Sequence, residues 1–141
     1  MEIDKSTIVE RMKLIERYVT RLRGLQSLSN GDFYSPDNSD IAAYNLRSAL
    51  EAIFDICGHI LARIPGAQID EYKKMAMEMG RQGIVSKEFA ENILIKMAGY
   101  RNRLTHFYFE IGQKEIYEII QHDLGDFDTL LKYIKRYLEN Q

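Results

Sequence analysis

Apolar residues recur along this chain with the period of a helix rather than a strand. Ile8, Met12, Ile15, Val19 and Leu22 step alternately by four and three residues, which lays one stripe along a helix predicted from about Asp4 to Leu28. The turn-rich stretch SNGDFYSPDNSD, residues 29–40, separates it from the next. Ser39 or Asp40 offers an N-cap for a second helix that should run to about Ile64 and stop at Pro65 and Gly66. A shorter helix is expected near Asp70 to Met79, ending at Gly80, with Gly83 keeping the following connection irregular. Ser86 reads as the cap of a third long helix, with Glu88 in its first turn to complement the dipole. Phe89, Ile93, Met97, Tyr100 and Leu104 form its stripe. EIYEIIQHDL and FDTLLKYIKRYLENQ add two more helices, broken near Gly125. No segment sustains the period-two alternation of a half-buried strand. The expected fold class is all-α, an up-and-down bundle of about four or five helices joined by short loops.

The second helix departs from a surface pattern. In IAAYNLRSALEAIFDICGHILARI, Glu51, Asp55 and His59 make a narrow polar line at every fourth residue. Ile41, Leu46, Leu50, Ile53, Phe54, Ile56, Ile60 and Leu61 cover most of the remaining circumference. A helix apolar on several sides is central in its bundle or is covered by a second subunit. The polar line is then either a wet edge or a set of acid and imidazole groups lining a cleft, and spacing leaves both open.

Composition narrows the class. With 141 residues, 45% hydrophobic and 28% charged, the chain suits one globular domain, residues 1–141, that buries roughly two-thirds of its unfolded surface. There is no linker-like block and no secretory leader pattern, and no run approaches the ~18 apolar residues of a membrane span. The single cysteine, Cys57, allows no intrachain disulfide, so a cytoplasmic location is expected. A net charge of −2 argues against a broad basic face for long duplexes, though a local phosphate site remains compatible. Arg11, Lys13, Arg17, Arg21 and Arg23 crowd the first helix, but Glu10 and Glu16 interleave with them, as on a solvated face.

The chemistry concentrates in GYRNRLTHFY, residues 99–108. Arg101 falls about 40° from Met97 on a regular helix, inside the apolar stripe. An arginine there must be paired or face a polar cleft, because an unpaired buried cation is costly. His106 lies about 140° around the helix from Arg101, so regular geometry keeps the two apart. Either the helix ends or bends between Leu104 and Tyr108, or the arginine of one subunit meets the histidine of another. Asn102 and His106, four apart, do share a face. A histidine with a pKa near 6.5 moves protons at cellular pH, and an arginine fork holds phosphate oxygens. Together they suit RNA cleavage, the base taking the 2′-hydroxyl proton while the cation stabilises the phosphorane. No metal and no cofactor are implied: His59, His106, His122 and Cys57 show no zinc-type spacing. There is no nucleophile elbow and no glycine-rich phosphate loop.

With ten arginines and three histidines, an arginine followed five residues on by a histidine is expected by chance about 0.2 times. Adding the asparagine after the arginine and the tyrosine two after the histidine lowers that to roughly 0.0006. The string R-N-x-x-x-H-x-Y resembles the signature of the HEPN superfamily, and most closely its HepT-like branch. YNLRSALEAIFDICGHILARI looks like that family's central helix, FAENILIKMAGYRNRLTHFYFEI like its motif helix, and IYEIIQHDLGDFDTLLKYI like its closing helices. The likeness covers about residues 40 to 138.

The resemblance implies a HEPN-like helical homodimer in which the motifs of two subunits line a shared cleft. It implies a metal-independent ribonuclease toxin paired with a minimal nucleotidyltransferase antitoxin, which silences it by transferring AMP to the motif tyrosine. By that transfer Arg101 would bind phosphate, His106 would be the acid/base group, Asn102 would orient the site, and Tyr108 would be modified. Glu51, Asp55 and His59 are candidate cleft-lining residues. RNA, a second copy and the nucleotidyltransferase are the implied partners, and no membrane is. The alternative is a non-catalytic helical subunit that binds nucleotide or substrate for a nucleotidyltransferase. The plainest alternative is a structural bundle in which Arg101 is a satisfied core cation.

Overall fold

The structure, a computed structural model, describes residues 3–106 and 111–141, and of His106 only the backbone. Among the described residues every regular element is helical. Helix α1 spans Lys5–Leu25, and its N-cap Asp4 accepts from the Thr7 amide at 3.1 Å and from the Ser6 and Thr7 hydroxyls. Those bonds hold the Asp4 carboxyl down at about 2. The helix stops short of Leu28 because Gln26 and Leu28 donate three residues back, to Arg23 and Leu25, and tighten the chain out of the α-helical ladder.

The stretch at 29–40 is not wholly a turn. Ser29 caps a single turn, α2 (Asn30–Phe33), which buries Phe33 edge-on to Tyr117. Ser35 then caps α3 (Pro36–Leu61), so the second helix starts earlier than a cap at Ser39 or Asp40 would allow. Pro36 at its first turn explains the difference: its fixed φ suits that position and its missing N–H would be unpaired there anyway. Ser39 is buried within this turn and donates to the Ser35 carbonyl at 3.0 Å. At the far end α3 gives way at Leu61 rather than Ile64, again through bonds three residues back, and Gly66 turns the chain at φ +81.

Helix α4 (Tyr72–Arg81) runs through Gly80 instead of ending before it. The glycine there serves packing, since a Cβ on it would lie 2.6 Å from the Ala90 Cβ. Gly83 does make the irregular connection, at φ +73. Ser86 caps the next helical run, accepting from the Phe89 amide at 3.0 Å. That run opens as α5 (Lys87–Phe89), widens into one π turn over Ala90–Leu94, and continues as α6 (Ile95–His106). Helices α7 (Gln113–His122) and α8 (Gly125–Glu139) close the bundle.

Helix α3 sits at the centre and packs against α1, α4, α6 and α7. That position accounts for its wide apolar circumference within one chain: Leu46, Leu50, Ile53, Phe54, Ile56, Ile60 and Leu61 are all buried. Ile41 and Tyr44, at 47% and 53% exposure, are its large apolar side chains left in solvent. Among the described residues no helix is long and apolar enough to cross a membrane.

Candidate functional site

The backbone of α6 stays helical from Ile95 through His106, so no bend falls between Leu104 and His106. The expectation of a bend beyond that, and Tyr108 itself, lie outside the described residues. Position 106 therefore stands about 140° around the helix from Arg101, as regular geometry requires.

Arg101 is half-buried where α6 crosses the start of α4. Its guanidinium carbon lies 3.9 Å from the centroid of the Tyr72 ring, well inside the range in which a cation is attracted to an aromatic face. Its Nη1 makes a long contact to Asn102 Oδ1 at 3.4 Å. Its Nε is buried and has no hydrogen-bond partner among the described residues. Among the described residues no carboxylate pairs with Arg101 as it would with a satisfied core cation. Tyr72 is fixed in turn by Phe54 of α3, whose ring meets it edge-on at 5.5 Å.

The polar line of α3 divides between two neighbours. Glu51 turns toward α6, where its carboxylate accepts from the Thr105 hydroxyl at 3.2 Å. Asp55 stands beside Arg11 of α1 at 3.9 Å. Partial burial raises the Asp55 carboxyl above its usual range; Arg11 opposes that, Glu51 adds to it, and the Arg101 charge opposes it more weakly. His59 does not join this group. It lies at the N-terminus of α1, its Nε2 accepting from the Asp4 amide at 3.4 Å, while its carbonyl accepts from Arg63 at 2.6 Å. Partial burial, with the Arg63 charge second, lowers its pKa against the pull of Asp4.

Phe54, Asp55, Glu71 and Tyr72 border an open cleft of about 340 Å³. A smaller groove of about 180 Å³ runs along Asp40, Ala43, Tyr44, Arg47 and Leu104, where α3 meets the motif helix. Larger grooves lie between α1 and α8, about 590 Å³, and beside Glu78, about 400 Å³, but neither contains a motif residue. Among the described residues no three His, Cys, Asp or Glu side chains converge as a metal site would require.

Three features have no signature in the motif. Tyr72 is one. Another is the Arg103 and Glu115 pair, whose two bonds of 2.6 Å tie the motif helix to α7. The third is Asp123, which receives the Tyr100 hydroxyl at 3.4 Å and Lys96 at 3.7 Å. The latter two fasten α6 on the side away from α4. Charge-pair spacing across a predicted loop was the available signal for Arg103; nothing local pointed to Tyr72.

A family model described as Ribonuclease HepT-like matches residues 10–134. The chain is similar to the tRNA nuclease HepT of Aphanizomenon flos-aquae, 27% identical over 137 residues that cover 96% of this chain and 92% of that one. It is similar also to the mRNA nuclease HepT of Shewanella oneidensis, 28% identical over 134 residues, 91% of this chain and 96% of that one. Its fold matches the tri-AMPylated HEPN toxin of Shewanella oneidensis, solved in complex with MNT antitoxin. The TM-score is 0.81 and the identity 24%, over 96% of this chain and 99% of the other.

Proposed function

We propose, because the chain belongs to the Ribonuclease HepT-like family, that it is an endoribonuclease toxin acting in a pair with a minimal nucleotidyltransferase antitoxin. The curated relatives are named as nucleases of tRNA and of mRNA, which supports RNA as the substrate. The observation that carries the reading is Arg101: a half-buried guanidinium held on an aromatic face, with no carboxylate paired to it among the described residues, on the helix that also bears Asn102 and His106. In this reading His106 removes the proton from a ribose 2′-hydroxyl. The 2′-oxygen attacks phosphorus, Arg101 stabilises the charge on the phosphorane, and the 5′-oxygen leaves with a proton from water. The product is a 2′,3′-cyclic phosphate. Asn102 orients the site through its contact with Arg101, and no metal takes part. Glu51 and Asp55 line the approach from α3.

Two copies are proposed to meet along the exposed face of α3, where Ile41 and Tyr44 flank the groove that reaches Leu104 of the motif helix. The second copy then sets a second motif opposite the first. Silencing follows when the antitoxin directs the Tyr108 phenol oxygen onto the α-phosphorus of ATP, with pyrophosphate leaving and AMP remaining on the tyrosine. The AMPylated state of the Shewanella toxin supports this.

The test is cleavage of tRNA and of mRNA in EDTA by the wild type, His106→Ala and Arg101→Ala. Only the wild type should cleave, leaving cyclic phosphate ends; equal cleavage by His106→Ala would sink the catalytic assignment. Mass spectrometry after incubation with ATP and the partner should find AMP that is absent from Tyr108→Phe. Sedimentation at micromolar concentration should give a dimer, and a monomer would remove the shared cleft.

A further inference from the structure

Arg11, Arg23, Arg81 and Arg103 each face a carboxylate: Asp55, Asp128, Glu78 and Glu115. Arg101 lies as deep in the fold as most of these yet rests on an aromatic ring. A carboxylate would hold the guanidinium just as firmly, but it would also spend the charge and occupy the fork that a phosphate needs. An aromatic face holds the cation through its quadrupole and leaves the N–H edges free. The distance of 3.9 Å to Tyr72 is much shorter than the other cation–ring contacts, Arg136 to Tyr133 at 5.2 Å and Arg47 to Tyr44 at 6.0 Å. The ring is not free to follow the arginine, since it is seated against the buried Phe54 at 5.5 Å and 70°.

We infer that Tyr72 is the positioning residue of the ribonuclease site: its ring, locked by Phe54, presents the Arg101 guanidinium to phosphate without neutralising it. The inference rests on the ribonuclease reading above. The buried Nε without a partner fits the same arrangement, because a stacked ring holds the guanidinium by its face and takes up none of its N–H donors. The phenol oxygen plays no part in it. Phenylalanine should therefore replace Tyr72, and an aliphatic residue of similar bulk should not.

The experiment compares wild type, Tyr72→Phe and Tyr72→Leu on the full chain. The first readout is the ¹⁵N–¹H resonance of the Arg101 Nε, assigned through Arg101→Lys, with and without inorganic phosphate. Stacking places this proton in the shielding cone of the ring, so it should sit upfield in wild type and Tyr72→Phe and return downfield in Tyr72→Leu. Its response to phosphate should weaken in Tyr72→Leu alone. The second readout is RNA cleavage, where Tyr72→Leu should lose about tenfold in kcat with a smaller change in KM, and Tyr72→Phe should match wild type. Circular dichroism of Tyr72→Leu should remain that of the wild type; where it does not, Tyr72→Met at the same position gives the comparison. An unmoved resonance in the folded aliphatic variant, or loss of kcat in Tyr72→Phe equal to that in Tyr72→Leu, would overturn the inference. A wild type that fails to cleave RNA while the resonance and its phosphate response behave as stated overturns the ribonuclease reading and leaves the positioning of Arg101 standing.

Discussion

Replacing Gly80 with alanine separates two explanations of that glycine by the sign of the result. Gly80 lies within α4 and its φ is not positive. With open space around it, alanine there would stabilise the helix by roughly 0.5–1 kcal/mol, because glycine surrenders more backbone freedom on folding. The space is not open. The new Cβ would lie 2.6 Å from the Cβ of Ala90, and the Lys87 Cα is at 3.6 Å. Carbon atoms pack best at roughly 3.5–4.0 Å, so α4 and the π turn must separate by about 1 Å. Neither atom belongs to a flexible side chain that could swing aside. Overpacking of this kind costs about 1–3 kcal/mol, and the net expectation is a loss centred on about 1 kcal/mol once the helix gain is subtracted. Urea unfolding followed by circular dichroism measures it, alongside Gly24→Ala in α1, where nothing lies within 4 Å of the added carbon. Gly24→Ala should hold or raise stability while Gly80→Ala lowers it, and Ala90→Gly in the Gly80→Ala background should recover a coupling of about 1 kcal/mol or more in a double-mutant cycle. A Gly80→Ala protein as stable as wild type would refute the close-approach argument and return Gly80 to a helix-terminating role.

The buried Glu78 carboxylate collects the Gln68 amide at 3.0 Å, two Arg81 donors at 2.8 Å and Gln82 at 3.0 Å, and these bonds lower its pKa from 4.5 to about 2. A depressed carboxyl stabilises the fold above its unfolded value and loses that contribution as pH falls toward 2, so Glu78→Gln should flatten the acid limb of a Tm against pH profile between about 4.5 and 2. At pH 7 the same change should cost about 1–3 kcal/mol, toward the lower end because Arg81 is largely solvated. Asp55 carries the opposite sign: its raised pKa means that the ionised form is disfavoured by the fold, and stability falls as pH rises through the window above 3.8. Asp55→Asn should then leave Tm unchanged or higher at neutral pH and erase that fall; a lower Tm would mean that the Arg11 pair outweighs desolvation.

What the sequence conveyed follows the range of the interactions involved. The cap at Ser86 is local: a serine before an apolar stripe, bonding its own first turn, and it is where the spacing places it. The start of α3 was placed too late, at Ser39 or Asp40, because Pro36 reads as part of a turn until its place in the first turn of the helix is seen, with Ser35 as the cap. The π turn at Ala90–Leu94 leaves no trace in the stripe of Phe89, Ile93 and Met97, since one wide turn inside a long helix changes phase by less than the width of the apolar face. Gly80 read as a stop because glycine has two uses, and only the neighbour at Ala90 distinguishes them. The polar line was legible as a line. Its division was not: Glu51 and Asp55 reach toward α6 and α1 beside the motif, whereas His59 is drawn to the start of α1. Tyr72 was invisible for the plainest reason. It meets Arg101 across a loop and a helix crossing, and no periodicity connects them.

The spacing of the motif acquires a physical sense from this geometry. On an unbroken α6, positions 101 and 105 share one face and positions 102 and 106 another. The first face meets the fold: Arg101 lies on Tyr72 of α4 and Thr105 bonds Glu51 of α3. The second face is turned away from those partners by about 100°. Asn102 spans the two, its side-chain oxygen accepting from Arg101 at 3.4 Å. The arginine is therefore set by the chain's own core, on a face of α6 different from the one that bears position 106. In the proposed dimer a two-fold axis brings the same patch of a second copy against this one, so that one copy's phosphate-binding arginine and the other's acid/base face complete a cleft that neither closes alone. Under that proposal an arginine–histidine spacing unsuited to a single helical site suits a shared one: the cation is anchored on Tyr72 of its own chain, and the face bearing position 106 is offered to the partner.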